Sequence, residues 1–155
     1  MKTCCFTGHR ELSNEQSQII IPKLSHAIKQ AIESGCDTFI SGFAQGFDLL
    51  SVKLVLAQKK EYYPFLSLWA YIPYQQRLYT KDIEFQSLIE QCDCIKVISK
   101  QYYRACFLKR NEKMVDDSNH VIACYDYRGK GGTYQTIQYA QKQQKSITII
   151  PISLI

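Results

Sequence analysis

Short apolar runs of strand length alternate along this chain with longer segments of helical period, and that alternation leaves few folds open. Strands are expected over residues 2–7, 38–41, 66–72, 94–98, 120–125 and 146–152, and helices over 14–34, 47–60, 77–91, 107–117 and 133–144. In the first helical segment Ile20, Leu24, Ile28 and Ile32 recur at every fourth position and so share one face, and Gly35 stands where a helix end is capped. Pro73 closes the third strand, because a residue without an N–H cannot extend a ladder. Strand, helix and strand in succession pack as a right-handed parallel unit. The expected fold class is therefore α/β, a Rossmann-like three-layer sandwich with a mostly parallel central sheet. No internal repeat, low-complexity tract or linker interrupts the 155 residues, so residues 1–155 are read as a single domain.

Composition narrows the class of protein. Hydrophobic residues make up 46% and charged ones 21%, the balance of a globular chain. No apolar run approaches the roughly 20 residues that span a bilayer, and the stretch before Gly8 is too short for a secretory leader. A cytoplasmic protein with no membrane partner is expected. Seven cysteines are an odd number for a disulfide framework, and Cys4, Cys5, Cys94 and Cys124 fall inside apolar runs, where the thiol serves as a small hydrophobe. Cys92 and Cys94 form a C-x-C with no second pair, so no metal site is expected. The net charge of +5 is mildly basic, with lysines scattered over helical segments, a pattern of solvated faces rather than a nucleic-acid stripe.

The glycines carry more information. Six of the seven follow expected strands directly: Gly8 after the first, Gly42 and Gly46 after the second, and Gly129, Gly131 and Gly132 after the fifth. Open parallel sheets bind ligands outside the carboxyl ends of their strands, where the strand order reverses, and glycine lets backbone N–H groups approach a ligand closely. Three such turns on one edge make a candidate pocket.

Residues 7–10 read TGHR. Arg10 suits bidentate phosphate binding, and His9 is either a base or a hydrogen-bonded loop residue. Residues 41–48 read SGFAQGFD. Ser41, Gly42, Ala44 and Gly46, with the free N–H groups of the helix start, are candidates to hold a phosphate or carboxylate. Asp48 either complements the helix dipole or accepts hydrogen bonds from a ribose hydroxyl. Gly131, Gly132 and Thr133 open the last helix in a turn that resembles a phosphate cradle. Tyr74 and Arg77 after the third strand, and Arg110 and Asn111 on the fourth helix, are candidates to reach the pocket from the side. Neither G-x-x-x-x-G-K-[ST] nor a G-x-G-x-x-G after the first strand is present, which argues against nucleotide hydrolysis of the P-loop kind and against a dehydrogenase.

TGHR, SGFAQGFD, Pro73 with Tyr74, RNEKMVD at 110–116 and GGT at 131–133, in this order, resemble the YpsA-like branch of the SLOG superfamily over nearly the whole chain. The resemblance implies a Rossmann-like fold and a pocket for nucleotides or nucleotide-derived ligands. The second loop is similar to the SG-x-A-x-G-x-D turn of DprA/Smf proteins, which bind single-stranded DNA. The last loop is similar to a reduced P-G-G-x-G-T-x-x-E motif of LOG phosphoribohydrolases, but Thr136 stands where that pattern puts its catalytic Glu. Asp48 and Glu112 are the candidate substitutes.

The leading expectation is a binding or sensing module, regulatory in role, for a small phosphate-containing, nucleotide- or NAD-derived ligand, with no cofactor required. The alternatives are an N-glycosidic hydrolase of a nucleotide or NAD-like substrate and, less favoured, a single-stranded nucleic-acid binder. Assembly into a homo-oligomer is left open.

Overall fold

The computed structural model describes residues 1–153 and has the alternating order read from the sequence: β1 Lys2–Thr7, α1 Asn14–Glu33, β2 Cys36–Ser41, α2 Phe47–Glu61, β3 Ser67–Ile72, α3 Ile83–Ile89, β4 Cys94–Val97, α4 Cys106–Asp116, β5 His120–Tyr125, α5 Gly132–Lys142 and β6 Ser146–Pro151. The six strands form one sheet in the order β4-β3-β2-β1-β5-β6. All five pairings are parallel.

The third expected helix is the main departure. Residues 77–91 do not run as one helix but divide into a 3-10 turn, Gln75–Tyr79, and α3. Asp82 is the cause: its carboxylate accepts the Glu84 and Phe85 N–H groups at 3.0 and 3.2 Å, so a new helix begins there and Thr80 is left extended. The helix α1 starts at a capping box between Ser13 and Gln16, as its sequence dictates.

The strands alternate between two cores. Cys4, Phe6 and Phe39 pack with Ile20, Leu24 and Phe47 under α1 to α3, whereas Cys5 and Ile40 pack with Met114, Val121 and Ala140 under α4 and α5. A sheet covered on both faces buries consecutive residues, which is why β1 is buried without a break from Thr3 to Thr7. Full burial of side chains such as Phe6 and Phe39, stacked at 5.8 Å, contributes roughly 1.5–3 kcal/mol each. The seven cysteines are free thiols, five of them buried. Among the described residues no helix is long and apolar enough to cross a membrane.

The strand order positions the site. From β1 the chain steps outward through β2, β3 and β4, then returns to place β5 on the other side of β1. The loops leaving β1 and β5 therefore diverge, and a crevice opens between them at the carboxyl end of the sheet.

Candidate functional site

Two adjoining chambers occupy that crevice. The first, about 220 Å³, lies between the loops after β1, β2 and β5 and includes Gly8, His9, Arg10, Ala44, Asp48 and the turn from Lys130 to Thr133. The second, about 250 Å³, extends toward β3, where Gly42, Pro73, Tyr74, Arg77 and Phe107 close it. Arg10, Ala44 and Arg110 belong to both. Together they have the size of a small-ligand site.

The loops after β1 and β2 lock together. The Phe47 N–H donates to the His9 carbonyl at 3.0 Å, and a Cβ on Gly46 would stand 2.5 Å from the Arg10 carbonyl oxygen. Within the second loop, the Ser41 hydroxyl accepts the Phe43 N–H at 3.1 Å and lies 3.4 Å from the Asp48 carbonyl, to which it donates. Phe43 is held at φ 55, a strained conformation for a bulky residue, by complete burial against Phe85.

Asp48 is 8% exposed, and its Oδ2 accepts the Ala44 N–H at 3.2 Å. Burial pushes its carboxyl up to about 6, against the opposing influence of Arg110, the Ala44 N–H and Arg10. Arg110 is enclosed still further, at 3% exposed. Its Nη1 donates to the Gly42 carbonyl at 2.6 Å and its Nε to Asn111 at 2.9 Å. Burial lowers it to about 10, so it remains charged at neutral pH.

The loop after β5 is built differently. Arg128 folds over Asp126, its Nε donating to the carboxylate at 2.6 Å and its N–H at 3.1 Å. Burial by itself would raise Asp126, but those bonds together with His9 hold it below the usual carboxylate range. Arg128 Nη2 also lies 3.1 Å from His9 Nδ1; since a guanidinium only donates, Nδ1 is the acceptor and the imidazole proton is assigned to Nε2. That Nε2 is buried without a hydrogen-bond partner among the described residues and stands 3.6 Å from Asp126. Burial lowers the His9 pKa, with Asp126 opposing and Arg128 reinforcing, so the ring is neutral at neutral pH.

Most of the residues singled out in the sequence are brought together. Gly8, His9, Arg10, Ala44, Asp48, Arg110, Asn111, Gly131, Gly132 and Thr133 line the first chamber, and Gly42, Tyr74 and Arg77 the second. Three stand elsewhere. Ser41 is wholly buried with its hydroxyl engaged by its own loop, and Gly46 is wedged behind Arg10. Glu112 lies outside both chambers, paired with Lys109 at 3.6 Å in a separate depression beside Tyr139. Thr136 donates to the Gly132 carbonyl at 2.8 Å, within its own helix.

Sequence reasoning missed Asp126, Arg128 and Phe107. The first two follow β5 as D-x-R, and the strand-end rule that singled out Arg10 applied to them equally. Phe107 carried no signal, because its role is to lie 4.8 Å under the Arg10 guanidinium, a contact made only in three dimensions.

Of the five arginines, Arg10, Arg77, Arg104, Arg110 and Arg128, four line the chambers, whereas Lys130 is the one lysine that does. Arginine's planar fork matches an oxyanion where lysine offers a point charge. Among the described residues Asp48 is the one carboxylate that lines the chambers. Among the described residues no cluster of three or more His, Cys, Asp or Glu is placed to hold a metal.

The YpsA family model, described as the YspA SLOG family, matches residues 4–155. Among solved structures, the X-ray structure of the structural-genomics target TM1055 is similar with a TM-score of 0.61 and 14% identity, over 95% of this chain and 72% of that one. At that identity the likeness concerns the fold. No curated protein matches the chain.

Proposed function

This chain belongs to the YspA SLOG family, and from that premise we propose that its crevice binds a nucleotide or nucleotide-derived, phosphate-containing ligand as a sensing or regulatory module. The observation that carries the reading is the gathering of four arginines around a crevice with a single lining carboxylate. Such a site is strongly attractive to an oxyanion. The start of α5 adds to it: the Gly132 and Thr133 N–H groups have no acceptor among the described residues, and the helix dipole favours negative charge there. In this reading a phosphate sits at the α5 turn and Arg10, and Asp48 accepts from a sugar hydroxyl. The free thiols are in keeping with a reducing, cytoplasmic setting.

Titration calorimetry with AMP, ADP-ribose and NAD tests this. The parent is expected to bind at least one of them, and R10A and D48A to weaken that binding about tenfold or more. Failure of all three ligands, or unchanged affinity in both variants, would overturn the proposal.

One observation favours hydrolysis as a second reading. A carboxyl near pKa 6, such as Asp48, exchanges protons close to neutral pH, the property a general acid or base needs. Release of free base from AMP or NAD, abolished in D48N, is the expected result if the site is catalytic. Turnover that survives in D48N would remove Asp48 from the chemistry.

A further inference from the structure

The two chambers share a wall but differ in chemistry. Asp48, His9 and the glycine turn line the first, whereas three guanidinium groups, Arg10, Arg77 and Arg110, face the second with no carboxylate among its lining residues. Only Arg110 is enclosed, with Arg77 half-buried and Arg10 exposed; like charges gathered around one chamber still repel, and a fold normally relieves that repulsion with counter-ions. Here the relief is incomplete. Asp48 acts on Arg10 and Arg110 from the neighbouring chamber, and Arg10 and Arg77 both disfavour the charged form of the buried Arg110.

The three forks are also held ready. The guanidinium carbon of Arg10 lies over the Phe107 ring at 4.8 Å and that of Arg77 over the Phe85 ring at 5.6 Å, so each group is held against an aromatic side chain. A cation–π contact of this kind uses none of the N–H donors. Neither side chain makes a hydrogen bond or ion pair among the described residues, and Nη2 of Arg110 has no partner there although the residue is 97% enclosed. Tyr74 and Phe107, edge to face at 6.1 Å, line one side of the chamber, and Tyr102 packs on both from outside it. Free donors and unbalanced positive charge held beside aromatic rings are the ingredients of an oxyanion site.

We propose that the second chamber is an oxyanion subsite in its own right, so that the ligand class of the crevice is a nucleotide carrying two separate anionic groups, one at the α5 turn and one between Arg10, Arg77 and Arg110. The ligand class rests on the nucleotide reading above; the subsite does not.

Arg77 is the discriminating residue, because it lines the second chamber alone and sits, half-buried, in the short turn after β3. Calorimetry at constant ionic strength compares AMP, adenosine 3′,5′-bisphosphate and inorganic phosphate on the parent and R77Q, with melting curves to confirm that the variant is folded and R77A in its place if it is not. The bisphosphate is expected to bind the parent at least about tenfold tighter than AMP, and R77Q to remove most of that advantage, lowering bisphosphate affinity by a much larger factor than AMP affinity. Equal binding of AMP and bisphosphate, or an advantage that survives R77Q, overturns the subsite and leaves the nucleotide reading standing. An equal loss for both ligands also overturns it, because one phosphate site would then serve both. If no nucleotide binds but inorganic phosphate does, and R77Q abolishes it, the subsite stands and the nucleotide reading falls.

Discussion

The crevice has a packed side and an open side, and its glycines distinguish them. On the packed side a Cβ at Gly8 would meet the Phe47 ring at 2.4 Å, one at Gly42 the Arg110 guanidinium at 2.8 Å, and one at Gly46 the backbone of Arg10 at 2.5 Å. On the open side a Cβ at Gly129, Gly131 or Gly132 would meet nothing within 4 Å. Gly129 and Gly131 have positive φ and so serve the turn, but Gly132 has neither a neighbour nor an unusual φ to require it. Glycine on the packed side thus serves the fold, whereas Gly132 keeps space and bare N–H groups facing the first chamber.

The sharpest way to break this contrast is at Arg110. R110M leaves the Gly42 carbonyl without its donor and Asp48 without the cation that acts on it most strongly, a loss of about 2–3 kcal/mol in denaturant unfolding. A loss under about 1 kcal/mol would show that the packed side is not held by this residue.

Asp48 tests the same side through pH. Its native pKa of about 6 lies above its unfolded value, so between about pH 4 and 6 the native state holds the extra proton and stability falls as pH rises. The slope amounts to about 3 kcal/mol by pH 7 and disappears in D48N. Asp93, Asp117 and Asp126, held low, give the opposite slope at lower pH, so the quantity to read is the difference between parent and variant.

Gly8→Ala drives a methyl group into a buried phenyl ring and is expected to cost about 1–3 kcal/mol in thermal melts. The smallest effect belongs to the open side. G132A is expected to change stability by less than about 1 kcal/mol while weakening phosphate-ligand binding in calorimetry. If G132A destabilises as much as G8A, the division into packed and open sides fails.

Much of this was legible beforehand because it is local. Hydrophobic period, capping residues and strand-end glycines act over a few positions, so the α/β order and ten of the first chamber's lining residues could be read from the chain. The division of the third helix at Asp82 is equally local, an N-cap hidden in the sequence by apolar residues that continue at helical spacing across it. Ser41 and Glu112 misled because residue type does not state where a side chain points: the Ser41 hydroxyl turns into its own loop, onto Phe43 and Asp48, and Glu112 stands on the face of α4 away from both chambers.

What the sequence by itself determined is the set of elements and the family, through patterns that any few adjacent residues carry. Only tertiary structure decided the electrostatics. His9 meets Arg128 across 119 positions, and Arg110 reaches the Gly42 carbonyl across 68. These encounters exist because β5 returns beside β1, and no local pattern encodes how far a buried carboxyl such as Asp48 is then lifted by the loss of water around it.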